Sequence, residues 1–337
     1  MPDFINTEAV PRNFGKPTNM SRYYAFNGDA DGLCALHQLR LADPAPAELI
    51  TGVKRDIRLL DRVQAGSGDQ IIVLDISLDS NRTGLMRLLE AGATVEYFDH
   101  HYAGEIPRHD NFIPHIDVSA DVCTSILVDR HLEGRYRLWA IVAAFGDNLG
   151  QRACALAESV GLAERQIEKL ARLGEYLNYN GYGDTVEDLH YPPVELYEKM
   201  KPYPDPFVFI AESPAFTRLE TGFRDDIGMI DSLSPVLEGV HHAAYLLPDA
   251  PWARRVSGIF ANRLANSNPS RAHAVITPNR YGDYSVSVRS SKANPQGADI
   301  LCMKFETGGG RKAAAGINRL RADSFARFLT SFTEQFS

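Results

Sequence analysis

Short apolar runs that end in acidic residues constrain this chain more than any other feature. Ile71-Ile72-Val73-Leu74 runs straight into Asp75, and Val95-Glu96-Tyr97-Phe98 into Asp99-His100-His101. A short continuous apolar run marks a strand buried on both faces, as in a parallel sheet. Tyr23 to Asn27 reads as a further strand and leads into Gly28-Asp29-Ala30-Asp31-Gly32. Helical spacing fills the gaps. Gly32 to Leu41 puts Leu33, Leu36 and Leu39 on one face, and Arg82 to Ala91 follows a cap at Asp79 or Ser80 and stops at Gly92. Asp56 to Val63 also reads as helical. This β-α-β-α-β order predicts an α/β fold with a parallel sheet and right-handed crossovers.

From Val122 to Asn178 the pattern is helical, with segments expected at 123–132, 138–145 and 162–177. Residues 178–206 are rich in Tyr, Gly, Pro and Asn and read as loops with at most short helices; 223–237 reads as a connecting helix. The α/β pattern then restarts. Strands are expected at 243–247, 272–277 and 284–289, with helices at 254–266 and 324–336. The Gly/Ala-rich segment 308–316 reads as the start of another helix. A chain of 337 residues is long enough for two cores. The expected organisation is a loose tail over 1–21, an N-terminal domain over 22–205, a linker over 206–240 and a smaller C-terminal α/β domain over 241–337.

Composition narrows the class. No run approaches the roughly 18 apolar residues that cross a bilayer, so no membrane association is expected. The polar first residues lack the apolar core of a secretory signal. Cys34, Cys123, Cys154 and Cys302 are scattered without a CxxC pair, which disfavours a disulfide framework or thiolate zinc site and suits the cytoplasm. A net charge of −8 argues against a protein that tracks a long polyphosphate backbone. It permits a small anion held in a local basic site. Lys54, Arg55, Arg254 and Arg255 read as solvated charges, and Thr124-Ser125 starts a helix that it either caps, the first reading, or leaves to face a metal site.

Ligands of doubly wound sheets bind at the carboxyl ends of the strands. The acidic clusters at Asp29/Asp31, Asp75, Asp99-His100-His101 and Asp147 all follow apolar runs, so they can converge there. Taken singly, each has an ordinary explanation as a loop residue, a cap or a structural histidine. Taken together and in this order, they point to a metal. Carboxylates and imidazoles without thiolates suit Mn²⁺, with Mg²⁺ or Co²⁺ as alternatives. Asp29, Asp31, Asp75 and Asp147 are more carboxylates than one ion needs. Two ions ~3.5–4 Å apart, sharing an aspartate and a water, would use them all and suit in-line phosphoryl displacement.

The segments NGDADG at 27–32, IIVLD at 71–75, DHH at 99–101, GD at 146–147 and GGGRKAAAG at 308–316 resemble the motifs of the DHH phosphoesterase superfamily and its DHH-associated C-terminal domain. The superfamily includes RecJ-type exonucleases, nano-RNases with phosphoadenosine phosphatase activity, and cyclic-dinucleotide phosphodiesterases. The resemblance spans nearly the whole chain apart from 178–235. It implies an active site in the cleft between the domains, and attack on phosphorus by a hydroxide bridging two ions. One ion falls to Asp29 and Asp75, the other to Asp31, Asp75, His100 and Asp147. His101 falls beside the substrate phosphate, and Asp99 orients the histidines.

The substrate implied is a small phosphorylated nucleotide: a short oligonucleotide, a 3′-phosphonucleotide or a guanosine alarmone. Gly308, Gly309, Gly310, Arg311 and Arg289 are candidates to hold it, and a homodimer is a family-level expectation. Two departures mark this chain. Many members carry histidine where Asn27 stands, a weaker ligand, and histidine where Arg311 stands. A RecJ-like single-strand exonuclease and a catalytically weak nucleotide sensor are the alternative readings.

Overall fold

The computed structural model describes residues 20–337, so the tail expected over 1–21 lies almost entirely outside the described residues. The first layer is built from β1 (Arg22–Phe26), α1 (Ala30–Ala42), β2 (Glu48–Ile50), β3 (Gln70–Leu74), α2 (Leu78–Glu90), β4 (Thr94–Asp99) and β5 (Phe112–Ile116). Its five strands are parallel in the order β2-β1-β3-β4-β5. The apolar runs alternate across it. Phe26, Leu74 and Phe98 pack beneath Leu33 and Leu36 on one face; Ala25, Val73 and Tyr97 pack with Leu85 and Leu88 on the other. From β1 the chain goes first to one neighbour and then to the other. The sheet therefore changes direction between β1 and β3, which opens a crevice at their carboxyl ends.

Two strands escaped the sequence pattern. β2 is only three residues long, and β5 carries Pro114. Both are edge strands, where short length and proline are tolerated. The helix expected over 56–63 is a single 3₁₀ turn, Leu59–Arg62. Helix α2 begins earlier than expected because Ser77, not Asp79 or Ser80, is the cap; its hydroxyl accepts from the Ser80 amide at 3.4 Å.

A helical layer follows: α3 (Thr124–His131), α4 (Arg137–Gly146), α5 (Gly150–Ser159), α6 (Glu164–Gly181), α7 (Pro193–Met200), α8 (Pro206–Glu212) and α9 (Pro214–Ile230). Helix α6 absorbs Asn178 to Gly181, the start of the segment expected to be loop. Asn180 is fully buried there, and its amide bonds both backbone groups of Tyr191. The connecting helix starts at Pro214 behind Ser213, a cap-and-proline start that a reading from Phe223 passes over.

The second domain contains β6 (Leu237–Glu238), β7 (His242–Leu246), α10 (Pro251–Ser267), β8 (Ala272–Pro278), β9 (Tyr284–Arg289), α11 (Ala298–Cys302), β10 (Gly308–Arg311), β11 (Ala314–Leu320) and α12 (Phe325–Gln335). The strand order is β10-β11-β9-β8-β7-β6, antiparallel except for the β7–β8 pair. No helix starts at 308–316. The segment is the hairpin of β10 and β11, with Ala315 and Ile317 turned inward opposite Val288 and Val286. Alternate burial against β9 outweighs the helix preference of three successive alanines. No helix among the described residues is long and apolar enough to cross a membrane.

Candidate metal centre

The crevice gathers the acidic clusters. Asn27, Asp29 and Asp31 follow β1, Asp75 follows β3, and Asp99 ends β4 just before His100 and His101. Asp29 caps α1, its Oδ1 accepting from the amides of Asp31 and Gly32 at 3.0 and 3.2 Å. Asp75 sits at φ 59°, a left-handed conformation that a side chain rarely adopts. Such conformations persist where the surroundings over-determine them, often at functional sites. The N-terminus of α3 points at the same carboxylates. The Thr124 and Ser125 amides each donate to Asp31 at 2.7 Å, and the Thr124 hydroxyl donates to Asp75 Oδ1 at 3.3 Å. The positive end of a helix favours negative charge there.

Asp147 ends α4 and is brought in by close helix packing. A Cβ on Gly174 of α6 would lie 2.2 Å from Val142 O and 2.8 Å from Gly146 N, so only glycine lets α4 approach.

His100 is the hub. Its Nε2 lies 3.4 Å from Asp75 Oδ1, 3.8 Å from Asp147 Oδ2 and 3.9 Å from Asp31 Oδ2. These separations are long for hydrogen bonds. Those from Asp147 and Asp31, which are also close to each other, suit donors around a common ion: ligands ~2.1 Å from a metal lie ~3 Å apart when adjacent and ~4.2 Å apart when opposite. Asp31, His100 and Asp147 form one group of mutually close donor atoms, and Asp75, His100 and His101 another. Asn27 Oδ1 and Asp99 Oδ2 are buried with no hydrogen-bond partner among the described residues. The carboxylate and imidazole donor set around His100 fits a bound cation.

The electrostatics agree. Burial and the charges of Asp31, Asp29 and Asp147 push the Asp75 carboxyl well above its ordinary value. Burial and the Asp31 charge push Asp147 up to about 6. A cation would relieve both. His101 Nδ1 is 2.7 Å from Asp99 Oδ1. Burial opposes protonation of His101, but the Asp99 hydrogen bond and charge outweigh it and raise its pKa.

Beside this cluster runs a cleft of about 880 Å³ between the domains, with Gly146, Asn178 and Tyr182 on one wall and Gly258, Arg289 and Lys292 on the other. Arg289 donates to Asn262 Oδ1 at 2.9 Å.

The chain matches a structure of exonuclease RecJ bound to manganese with a TM-score of 0.61 and 19% identity, over 93% of this chain and 89% of that one. The chain shares the fold of RecJ. RecJ of Thermus thermophilus in complex with Mn²⁺ gives a TM-score of 0.62 at 19% identity, over 93% of this chain and 51% of that one. A pGpG-specific phosphodiesterase, PggH of Vibrio cholerae, gives 0.51 at 14% identity, over 94% of this chain and 98% of that one. No protein-family model matches the sequence, and neither does any curated protein.

Within this fold, the structure brings Asp31, Asp75, His100, His101 and Asp147 together as two groups of donors that share His100, with Asp99 behind His101. It places Arg289 on the cleft wall, while Gly308, Gly309, Gly310 and Arg311 lie outside that wall. They belong to β10, an edge strand, and Gly309, Gly310 and Arg311 are exposed.

Several assignments change. Of the two readings of Thr124-Ser125, the second agrees with the structure: the pair does not cap α3 but bonds Asp31 and Asp75. Lys54 is not solvated, because its Nζ lies 2.5 Å from Asp29 Oδ2 and 3.0 Å from Asn178 Oδ1. Arg254 and Arg255 are buried or half-buried and ion-paired to Asp188 and Asp226. Nothing in the local sequence marks Lys54, which meets Asp29 only through the fold. The Thr-Ser pair at a helix start behind an acidic strand end was a usable signal.

Proposed function

We propose that this chain is a divalent-metal-dependent phosphoesterase acting on small phosphorylated nucleotides. The observation that carries the reading is the convergence of three carboxylates on His100 Nε2 at 3.4–3.9 Å, beside an interdomain cleft. The names of the similar structures, an exonuclease and a pGpG-specific phosphodiesterase, favour a phosphodiester in a short oligonucleotide or dinucleotide. Mn²⁺ is the proposed ion, as in the RecJ structures.

When bound, such an ion activates water and neutralises charge on the phosphoryl oxygens. Asp31, Asp75, His100 and Asp147 would hold it. His101 keeps Nδ1 on Asp99, which leaves Nε2 to donate to a phosphate oxygen; its side chain is 44% exposed and reachable from solvent. Its raised pKa favours the protonated form that grips an anion. Across the cleft, Arg289 is the better placed of the two arginines to receive a second phosphate, and Tyr182 offers a ring to a base. Residues 241–337 thus act as the domain that holds the leaving nucleoside.

Hydrolysis of bis(p-nitrophenyl) phosphate with Mn²⁺, and its loss in Asp75→Ala, tests the reaction class. A panel of dinucleotides, 3′-phosphonucleotides, alarmones and single-stranded oligonucleotides then separates substrates. Absence of Mn²⁺-dependent phosphate-ester cleavage across the whole panel would refute the reading and leave the sensor alternative.

A further inference from the structure

The family resemblance gives a first ion to Asp29 and Asp75, aided in many DHH proteins by a histidine two residues before the aspartate. Here that residue is Asn27, and Asp29 belongs to neither group of close donor atoms around His100. A fixed cation stands beside Asp29 instead. Lys54 Nζ is 2.5 Å from its Oδ2, and a second partner, Asn178 Oδ1, is 3.0 Å from the same nitrogen.

Lys54 is held from several directions. Its backbone amide donates to Gly181 O at 2.9 Å, its carbonyl accepts from Asn27 Nδ2 at 3.4 Å, and its ammonium lies 5.4 Å from the centre of the Tyr182 ring. Asp29 Oδ1 is already engaged by the amides of α1. A divalent ion on Oδ2 would have to crowd against the ammonium or displace it.

We propose that the Lys54 ammonium replaces the first ion of the two-ion DHH pattern, so that this chain binds one divalent ion, at Asp31, Asp75, His100 and Asp147. The proposal rests on the metal-dependent reading above and refines it. One divalent ion and one ammonium offset three of the four negative charges of Asp29, Asp31, Asp75 and Asp147. An ammonium has three N–H donors. Two face Asp29 and Asn178, and the third can hold a phosphoryl oxygen. It carries no Lewis acidity, so water activation falls to the single ion.

The test is the Mn²⁺ stoichiometry of the metal-stripped full-length protein, by equilibrium dialysis with elemental analysis and by electron paramagnetic resonance. The expected wild-type result is one Mn²⁺ per chain with the spectrum of an isolated ion. Asn27→His/Lys54→Ala should take up a second ion and show a spin-coupled pair. A wild type that binds two coupled ions overturns the proposal while leaving the phosphoesterase reading intact. A double variant that folds like the wild type yet stays at one ion also overturns it, since Lys54 would then not be what excludes the second. A wild type that binds none refutes both readings. If the double variant does not fold, the wild-type stoichiometry alone decides.

Discussion

Arg255→Met should be among the most destabilising single changes in this protein. Arg255, on α10, is 8% exposed and forks onto Asp226 of α9, with Nε–Oδ2 at 2.7 Å and Nη2–Oδ1 at 3.1 Å. It also donates to the hydroxyl of Tyr179 on α6 at 3.1 Å and to the carbonyl of Asp188. Asp226 is 7% exposed and Tyr179 fully buried. The substitution keeps the apolar stem and removes the guanidinium. A buried carboxylate then remains with the Tyr179 hydroxyl as its chief partner. Breaking a buried pair from one side costs about 3–5 kcal/mol. For domains of this size that corresponds to a fall in Tm of ~6–20 °C.

Calorimetry or circular dichroism on purified full-length protein measures the fall. The companion variant Arg255→Met/Asp226→Leu should recover much of the loss, because an ion pair removed whole leaves no stranded charge. A single variant melting within about 1 °C of wild type would refute this account, and so would a double variant less stable than the single.

Two further outcomes follow from the site. Asp147 rises from 3.8 to about 6 in the metal-free fold, so the folded protein keeps a proton that the unfolded chain releases. That contribution is full below pH 3.8 and lost by about pH 6, removing about 3 kcal/mol of metal-free stability across the window. Mn²⁺ needs the carboxylate, so its stabilising effect should grow from about pH 5 to about pH 7.5; equal Mn²⁺-induced Tm shifts at both pH values would count against Asp147 as a ligand. Gly174→Ala forces a methyl against Val142 O and Gly146 N. It should cost about 1–3 kcal/mol and weaken Mn²⁺ binding by moving Asp147; unfolding and binding measured on the same variant decide it, and unaltered Mn²⁺ affinity would break the link.

The strands that build the site were legible because their apolar runs end in the residues they present, as Leu74 does in Asp75 and Phe98 in Asp99. Edge strands β2 and β5 were not, since they lack two buried faces and β5 carries a proline. The Gly/Ala segment misled because alanine favours helix locally, while β9 offers it a sheet partner from about 25 residues away. The donor cluster followed from residue type and order. Its supports, Lys54 with Asp29 and Asn178 with Lys54, did not, and neither did the separate pair Arg255 with Asp226: each joins distant segments, and a charge read without its partner looks solvated.

Asp75 shows what this arrangement demands of the sequence over time. Its left-handed backbone is one that glycine adopts without strain. Judged by metal-free stability alone, glycine at position 75 would relieve both the backbone and the crowding of four carboxylates. A search of random variants for thermostability should therefore favour Asp75→Gly, and every such winner would have discarded the carboxylate that the strand end presents to His100. Retention of aspartate there under selection for growth, and its loss under selection for heat resistance alone, would separate the two pressures at a single codon.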